Sequence, residues 1–348
     1  MELLFSNVKP CEYNNSSFSE AFELGVVNSD EINIATGYIS EESLLELKSI
    51  LSFYAENNQV KKCNLVIGMH GREGFTRPQY EAAIELGRFL ANSNLGGVSI
   101  CTAFRFHGKT YLFSDNNNPV FAILGSSNLS NLVENRQWEV DTKVTEEHAL
   151  NELLTLHNDL TAKACRNILE VDAPESFIET NDLLQDRIDV DKADSDLYAQ
   201  AENSLTGVVF DLPLKATEKS NLNVYFGKGR VATKTGAIRP RHWYEVELIV
   251  PIEITSSPSY PKSGSTIHVY TDDGWSFKCK TEGQNSKNFR SENDLRTLGR
   301  WIKGRLERAG CLQVGKPVTD EVLDAYGRRT ISLKQTENPD LWLLDFSR

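Results

Sequence analysis

The chain of 348 residues is 40% hydrophobic and 25% charged, a composition typical of a globular protein long enough for two domains. No apolar run reaches the length of a membrane span, the N-terminus lacks the basic start of a signal peptide, and six scattered cysteines show no C-x-x-C spacing. We therefore expect a cytoplasmic protein with reduced thiols and with no membrane contact, bound metal or cofactor, although the net charge of −12 leaves open what it binds.

Alternating apolar patterns predict an α/β unit in the N-terminal half of the chain. Helices are predicted at residues 16–25, 40–57, 78–92 and 146–167, and strands at 31–38, 63–69 and at several places between 97 and 144. Pro78 fits the first turn of its helix, where a missing N–H does little harm. The order β-α-β-α, followed by several strands and a closing helix, predicts a mixed sheet covered by helices.

The candidate catalytic residues lie between residues 104 and 141, and they are His107, Lys109, Ser126, Asn128 and Glu139. The sequence around each is typical of a strand, in which side chains two positions apart share a face. His107 and Lys109 are thus expected to project together, and the same spacing applies to Ser126 and Asn128. An imidazole nucleophile, a carboxylate that orients it, and an ammonium and amide that hold phosphoryl oxygens suit attack on a phosphodiester without metal.

These residues form two short motifs that resemble those of the phospholipase D superfamily. His107 and Lys109 match its H-x-K motif, and residues 125–128 match its G-S-x-N motif. The resemblance implies that the histidine attacks phosphorus and forms a covalent phosphohistidine, while a second copy of the motif protonates the leaving oxygen. Taken singly, H-x-K also fits a solvated strand and G-S-S-N a turn after a buried strand.

The chain departs from the superfamily pattern at the acidic position. The superfamily's aspartate would fall on Ser114, one residue before Asp115, and the gap between the two motifs is longer than usual. Glu139 follows Asn128 by eleven residues, where the restriction-enzyme branch of the superfamily has its acidic partner. We expect Glu139 to fill that role.

The sequence contains only one H-x-K, so one chain cannot supply both nucleophile and acid. We therefore expect a homodimer in which His107 of each protomer meets across a two-fold axis. His70 lies at the end of a strand in a glycine-rich stretch and is interpreted as structural, with a place at the functional edge as the alternative. Arg105, two residues before His107, is a further candidate for phosphate contact.

An acid-rich stretch from residue 170 to 202 separates two parts of the chain. It keeps no long apolar period, which predicts a connector with at most a short helix. The expected domains are a nuclease and dimerisation domain at 1–172, an acidic linker at 173–202 and a DNA-binding domain at 203–348. A further hypothesis is that the linker carboxylates mimic DNA and cover the nuclease site until the target is bound.

The C-terminal part is predicted to be mainly β. Strands are expected at 204–214, 222–231, 242–251, 265–280, 330–335 and 341–346, with a hairpin turn at 272–274 and helices at 291–310 and 320–326. Leu295, Leu298, Ile302 and Leu306 form the expected buried stripe of the longer helix. Many short strands with two small helices predict a compact barrel.

Basic residues concentrate in this C-terminal part. Residues 1–200 hold 31 acidic and 15 basic side chains, whereas residues 201–348 hold 18 acidic and 22 basic ones. Because the local field decides whether a phosphate backbone is attracted, affinity for DNA is predicted here. The expected DNA contacts lie in two segments: Lys228, Arg230, Lys234, Arg239, Arg241 and Trp243 in residues 226–243, and Lys278, Lys280, Gln284, Asn285, Lys287, Asn288 and Arg290 in residues 275–290.

Arginine recognises guanine edges, and asparagine and glutamine recognise adenine, so the two segments suit base contacts as well as phosphate contacts. Basic loops on a barrel without DNA function are the alternative. Two such arms on a small barrel resemble the B3-like DNA-binding domain. The predicted fold is therefore a mixed-sheet α/β, phospholipase D-like nuclease domain followed by a mainly β, B3-like pseudobarrel.

A one-copy phospholipase D nuclease followed by a B3-like domain resembles restriction endonucleases of the NgoAVII (NgoFVII) and BfiI kind, over nearly the whole chain. The resemblance implies sequence-specific, metal-independent cleavage of double-stranded DNA by a homodimer, in some members with a separate helicase-like ATPase. Three alternatives use the same residues differently: a nonspecific nuclease, a phospholipid-acting phosphodiesterase, and a DNA-binding regulator without catalysis.

Overall fold

The computed structural model describes residues 2–56, 59–133, 137–178, 183–185, 187, 189–231 and 238–348, with only the backbone at 238 and 239. It divides the chain into two compact units, Met1–Glu179 with Val231–Arg239 and Thr180–Arg230 with Pro240–Arg348. Within the described ranges, no helix combines the length and the apolar character that crossing a membrane requires.

The first unit is an α/β structure built on one eight-stranded sheet. Its strands are β1 (Glu2–Phe5), β2 (Glu31–Thr36), β3 (Lys62–Ile67), β4 (Gly96–Cys101), β5 (Thr110–Asp115), β6 (Asn118–Gly125), β7 (Val140–Val144) and β8 (Cys165–Asn167). Its helices are α1 (Phe18–Val27), α2 (Glu41–Glu56), α3 (His70–Glu73), α4 (Arg77–Asn92) and α5 (Glu147–Asp159), with 3₁₀ turns at Leu129–Leu132 and Ile168–Glu170 and a π turn at Leu160–Ala164.

The strand order in this sheet is β1-β7-β6-β5-β2-β3-β4-β8. Strands β2, β3 and β4 run parallel to one another, and the other neighbours are antiparallel, which confirms the predicted mixed sheet. Because β2, β5, β6 and β7 alternate in direction, the ends of β2 and β6 lie at the same edge as the starts of β5 and β7. This edge carries the candidate active site.

Local signals fix where the helices begin. The hydroxyl of Ser17 accepts a hydrogen bond from the N–H of Glu20, whose carboxylate in turn accepts one from the N–H of Ser17. Thr76 and Gln79 form the same reciprocal cap ahead of α4, and Pro78 lies in the first turn of that helix, as predicted.

The closing helix is shorter than the predicted 146–167. Helix α5 ends at Asp159, and after the π turn the chain forms β8, which pairs with β4 and places Cys165 opposite Cys101. The prediction was wrong at this end because β4 offers an open row of backbone donors and acceptors, which the chain satisfies by pairing. Strand β1, which was not predicted, pairs with β7 in the same way.

The remaining strands are β9 (Val190–Lys192), β10 (Leu205–Pro213), β11 (Arg230–Val231), β12 (Ile238–Arg239), β13 (Leu248–Ile249), β14 (Thr266–Thr271), β15 (Trp275–Glu282), β16 (Asn288–Ser291), β17 (Thr330–Thr336) and β18 (Leu341–Asp345). The helices are α6 (Ser195–Asn203), α7 (Ile252–Thr255), α8 (Arg296–Arg308) and α9 (Asp320–Tyr326), with 3₁₀ turns at Asn221–Phe226 and Gln284–Ser286.

The second unit is mainly β, as predicted. Its sheet has the order β10-β17-β18-β14-β15-β16-β13, with β9 added beside β15. Strands β11 and β12 form a separate two-stranded sheet, and all of it except Arg230 is assigned to the first unit. Strands β14 and β18 are parallel, and the other described pairs in the large sheet are antiparallel. Helix α8 buries Leu298, Ile302 and Leu306 of the predicted stripe together with Trp301.

Part of the segment predicted as a linker contributes to the second unit. Strand β9 extends the sheet, and α6 is preceded by Asp194, whose carboxylate caps its first turn. Arg187, whose side chain is almost fully buried, forms an ion pair of 2.9 Å with Asp294. The division at 1–172, 173–202 and 203–348 stays a prediction, because these contacts concern the packing of the segment and not the limits of the domains.

Candidate active site and DNA-binding surface

The candidate catalytic residues lie at strand ends along one edge of the first sheet. His107 and Lys109 precede β5, Ser126 and Asn128 follow β6, and Glu139 precedes β7. The prediction that these residues lie within strands was wrong. They lie in the segments next to the strand ends, outside the regular ladder.

His107 and Lys109 are in direct contact. The Nζ atom of Lys109 lies 3.1 Å from Nδ1 and 3.2 Å from Nε2 of His107, and it donates to the carbonyl oxygen of His107 at 2.8 Å. His107 is exposed, whereas Lys109 is buried. Burial lowers the pKa of the Lys109 ammonium, and the negative charge of Glu139 partly offsets this shift. An exposed imidazole and a partly desolvated cation thus lie in direct contact.

Asn128 is fixed by the end of β2. Its Oδ1 accepts hydrogen bonds from the N–H of Tyr38 at 3.1 Å and from the hydroxyl of Thr36 at 3.3 Å. Its Nδ2 makes no hydrogen bond with any of the described residues, so the amide is oriented with its donor free for a ligand. The neighbouring Gly37 contacts His107, since a Cβ there would lie 3.2 Å from its Cδ2 atom.

Ser126 and Glu139 are joined through the start of β7. The hydroxyl of Ser126 accepts from the N–H of Val140 at 3.0 Å, and the N–H of Ser126 donates to the carbonyl of Val140 at 3.2 Å. The N–H of Glu139 donates to the hydroxyl of Ser6 at 2.8 Å. The Glu139 carboxylate makes no hydrogen bond to the described residues, the His107 ring included, so its electrostatic action on Lys109 is the link that the structure provides.

Sequence reasoning missed Asp141 as a member of the site. Its carboxylate is 3% exposed and accepts from the N–H of Ser127 at 2.9 Å and from its hydroxyl at 2.5 Å. Burial raises the pKa of Asp141, and the hydrogen bonds from Ser127 and the N–H of Ser126 oppose that shift. The hydroxyl of Tyr111 donates to the carbonyl of Ser127 at 2.8 Å, so the turn before Asn128 is held from both sides.

His70 has the structural role that was favoured for it. It is buried, its Nδ1 lies 2.8 Å from the carbonyl of Gly74, its Nε2 lies 3.4 Å from the N–H of Ile39, and its ring stacks on Phe75. Burial lowers the pKa of His70. With both ring nitrogens engaged by backbone groups, the imidazole supports the walls of the site rather than reacting in it.

Tyr38 lies beside the His107 ring and is linked through Glu73 to Arg105. The Tyr38 ring lies 5.6 Å from the His107 ring, and its hydroxyl donates to Glu73 at 3.0 Å. Arg105 is largely exposed and lies 3.8 Å from the other oxygen of Glu73. Its predicted contact with phosphate stays a prediction. Ser114, at the position of the superfamily's aspartate, is buried near the far end of β5.

The second predicted DNA-binding segment forms a hairpin from β15 and β16. Along β15 the side chains of Phe277, Cys279 and Thr281 point inward, while the intervening positions point outward. The outward or loop positions are those predicted to contact DNA: Lys278, Lys280, Gln284, Asn285, Lys287, Asn288 and Arg290. The structure thus brings these seven residues to one hairpin.

The first predicted segment is only partly described. Lys234 lies outside the described residues, and Arg239 is described by its backbone alone. Lys228 and Arg230 are exposed, and Arg241 is partly buried. The contacts of these side chains with DNA stay a prediction.

Trp243 requires a correction. It is 1% exposed, and its indole N–H donates to Glu307 at 2.7 Å, while the Lys303 ammonium lies 3.3 Å from the ring centroid and donates to the Trp243 carbonyl at 2.5 Å. Trp243 is therefore a core residue that cannot reach DNA. Lys303, Trp243 and Glu307 form a buried network, and the helix pattern alone does not show that these charged side chains are buried.

Among the described residues, no group of three or more histidine, cysteine, aspartate or glutamate side chains is placed to hold a metal ion. The site therefore consists of an imidazole, an ammonium, an amide and a nearby carboxylate at the edge of an α/β sheet, in a chain whose second unit presents a basic hairpin. Such a site can bind a phosphodiester and offer it a nitrogen nucleophile.

Comparison with known families agrees with this chemistry. Residues 18–173 match the family model of the NgoFVII restriction endonuclease N-terminal phospholipase D domain, and residues 200–337 match that of the NgoFVII C-terminal B3-like DNA-binding domain. The chain is a phospholipase D-superfamily nuclease joined to a B3-like DNA-binding domain, as the resemblance predicted. It belongs to the NgoFVII family of restriction endonucleases. No curated protein sequence gives a significant match.

Several solved structures are similar to part of this chain. Nuc from Salmonella typhimurium, a phospholipase D family member, is 16% identical over 48% of this chain and 95% of its own, with a TM-score of 0.33. NucT from Helicobacter pylori is 14% identical over 42% of this chain and 88% of its own, with a TM-score of 0.30. Phosphatidylserine synthase from Haemophilus influenzae is 14% identical over 49% of this chain and 41% of its own, with a TM-score of 0.37.

Proposed function

We propose that this chain is a sequence-specific, metal-independent restriction endonuclease that cleaves double-stranded DNA through a covalent phosphohistidine, at an active site shared by two protomers. Membership of the NgoFVII family supports nuclease activity, and the B3-like domain supports DNA as the partner. The observation that carries the proposal is the Lys109 ammonium, 3.1 and 3.2 Å from the two ring nitrogens of the exposed His107. A cation at this position lies where the oxygens of an attacked phosphate gather charge.

In the first step, a ring nitrogen of neutral His107 attacks phosphorus and the P–O3′ bond breaks. The electron pair leaves with O3′, which takes a proton from the imidazolium of the partner subunit's His107. Lys109 and Asn128 of both protomers stabilise the phosphoryl oxygens, and Ser126 contributes a hydroxyl to the same pocket. The 5′-phosphate end remains linked to the first histidine.

In the second step, water attacks phosphorus and the P–N bond breaks. The partner subunit's His107, now neutral, accepts the proton of the water, so both rings return to their starting protonation states. The negative charge of Glu139 stabilises the Lys109 ammonium and the positively charged form of His107. The product end carries a 5′-phosphate. The proton given to O3′ and the proton taken from water are both transferred by the partner subunit's His107.

The dimer follows from the single H-x-K in the sequence, because the attacking ring cannot also protonate the leaving oxygen. We propose that the domain at 1–172 dimerises and that the domain at 203–348 selects the DNA sequence. A helicase-like ATPase partner and a cytoplasmic location stay predictions that follow from the resemblance and from the composition.

The test is digestion of plasmid DNA by the wild type and by His107→Ala in excess EDTA. We expect full wild-type cleavage with EDTA and a loss of at least about 1,000-fold in the variant, with DNA binding unchanged. His148→Ala is the matched control, since His148 is an exposed histidine of the same unit outside the site. Cleavage that survives His107→Ala, or that stops with EDTA, would contradict the mechanism.

A further inference from the structure

Each of the two basic segments holds a pair of its cations on a single carboxylate. Near the first segment, Arg230 and Arg241 both form ion pairs with Glu245. In the second segment, Lys280 and Arg290 both form ion pairs with Glu282. Four of the residues predicted to contact DNA are therefore positioned by two glutamates that the sequence analysis did not single out.

Glu245 lies beneath the first pair. It is 1% exposed, and its Oε1 accepts from Nη2 of Arg230 and, at 2.5 Å, from Nη2 of Arg241. Its Oε2 is buried and has no partner among the described residues. The Arg230 side chain nevertheless remains 58% exposed. Among the described residues, only its Nη2 is hydrogen-bonded, so the other guanidinium nitrogens remain available to a ligand.

Glu282 holds the second pair on the outward face of the β15–β16 hairpin. Lys280 and Arg290 are directly opposite each other in the ladder, an arrangement of like charges that destabilises a sheet. Glu282 accepts from Nζ of Lys280 at 2.9 Å and from Nη2 of Arg290. These two hydrogen bonds lower the pKa of Glu282, which stays charged beside the cations.

A role in stability explains the Glu282 pair poorly, because ion pairs at a protein surface contribute little to folding. The buried Glu245 carboxylate does need its two cations for stability, but that need does not require Arg230 to stay exposed. Attraction of DNA explains neither pair. A carboxylate among cations weakens the attraction of a phosphate backbone. Positioning explains both pairs, because a guanidinium held at one nitrogen presents its remaining N–H donors in a fixed plane, as bidentate contact with a base edge requires.

We propose that Glu245 and Glu282 are specificity-determining positioning residues, which orient Arg230 with Arg241 and Lys280 with Arg290 for contact with base edges. The proposal rests on the proposed function, in which these segments bind the recognised DNA. Loss of either carboxylate removes one negative charge and frees two cations. Affinity for any DNA is then expected to stay equal or rise, while discrimination between sequences falls.

The experiment compares Glu245→Gln and Glu282→Gln in a His107→Ala chain, which binds DNA without cutting it. Each protein selects from a library of duplexes with a randomised centre, the bound fraction is sequenced, and affinity for the unselected library is measured. We expect the selected motif to lose information, with a fall of about tenfold or more in the preference for the best sequence, at equal or tighter binding of the library. Glu253→Gln is the control, an exposed carboxylate of the same unit.

The outcomes separate the possibilities. Tighter binding of the library with the motif intact would show that the carboxylates act by charge alone and would overturn the proposal. Glu282 lies at the surface, so its variant gives an answer even if the buried Glu245→Gln impairs folding. A parent chain that selects no motif would overturn the proposed sequence specificity and this inference together, whereas a parent that selects one while both variants keep it overturns the inference alone.

Discussion

Asp141 is the buried carboxylate under the turn that precedes Asn128. It accepts both the N–H and the hydroxyl of Ser127, and Gly125 packs so closely that a Cβ there would lie 2.2 Å from its Oδ1. We expect Asp141→Ala to lower kcat about 10- to 100-fold with KM for plasmid DNA nearly unchanged, because a small displacement of the amide misplaces a phosphate donor. Steady-state cleavage kinetics measure this split.

A conservative variant separates positioning from folding at the same residue. Asp141→Asn keeps an acceptor for the N–H of Ser127 and should recover most of kcat. Asp211→Ala is the matched control, because Asp211 accepts a serine hydroxyl, that of Ser332, at 2.6 Å in the second unit. Equal losses of kcat in Asp141→Ala and Asp211→Ala would show that the effect is general and not local.

The residues proposed to touch substrate were chosen from spacing, and the structure adds the residues that hold them in place. H-x-K and G-S-S-N identify His107, Lys109 and Asn128 because their order along the chain is itself the signal. The partnership of Asp141 with Ser127 depends on the register of β7 against β6, and that of Tyr38 with Asn128 depends on where β2 ends. Neither contact can be predicted from the sequence alone, because both are set by pairing between segments that are distant along the chain.

Helix α5 is joined to the active-site strand β5 by a buried histidine. Nε2 of His157 lies 2.9 Å from the hydroxyl of Thr110, and burial lowers the pKa of His157 to about 4. An unfolded chain takes up this proton near pH 6.5, the folded one only near pH 4, so the folded state loses stability as pH falls through that window. The expected loss is roughly 3 kcal/mol.

His157→Gln removes the titration while keeping a polar group near Thr110. We expect the pH dependence of local stability between pH 6.5 and 4 to flatten in this variant, measured by hydrogen exchange of the α5 and β5 peptides after correction for intrinsic rates. His148→Gln on the same helix is the control, since that side chain is 77% exposed. An unchanged pH dependence in His157→Gln would assign the effect to other groups.

At the scale of elements, most predicted helix limits lie within two residues of the observed ones. The exceptions are the end of α5 and the start of α8, which was predicted at 291 and lies at Arg296. The starts of α1 and α4 are fixed by neighbouring residues, through the caps of Ser17 and Thr76 and through Pro78 in the first turn of α4. The end of α5 and the strands β1, β8 and β9 depend on partners elsewhere in the chain. The burial of Lys303 against Trp243 is of the same kind, since the amphipathic pattern of α8 shows where charge lies and not whether a partner covers it.

For the whole molecule, the proposed mechanism requires that one chain carries half of a catalytic apparatus. The two family matches account for a nuclease and a DNA-binding domain, and the sequence contains one H-x-K. If each cut uses the histidines of two protomers, a protomer lacking His107 inactivates any dimer that it enters. If each protomer acted alone, a protomer that lacks His107 would only dilute the active chains.

Mixing distinguishes these cases quantitatively. Wild-type and His107→Ala chains are combined in equal amounts, allowed to exchange subunits, and assayed for plasmid cleavage at fixed total protein. Random pairing leaves about one quarter of the wild-type activity for a shared site and about one half for independent sites. His148→Ala mixed in the same way should leave the activity unchanged, and mass measurement of the mixture verifies that exchange has occurred. Activity of one half after complete exchange would show that a single imidazole suffices.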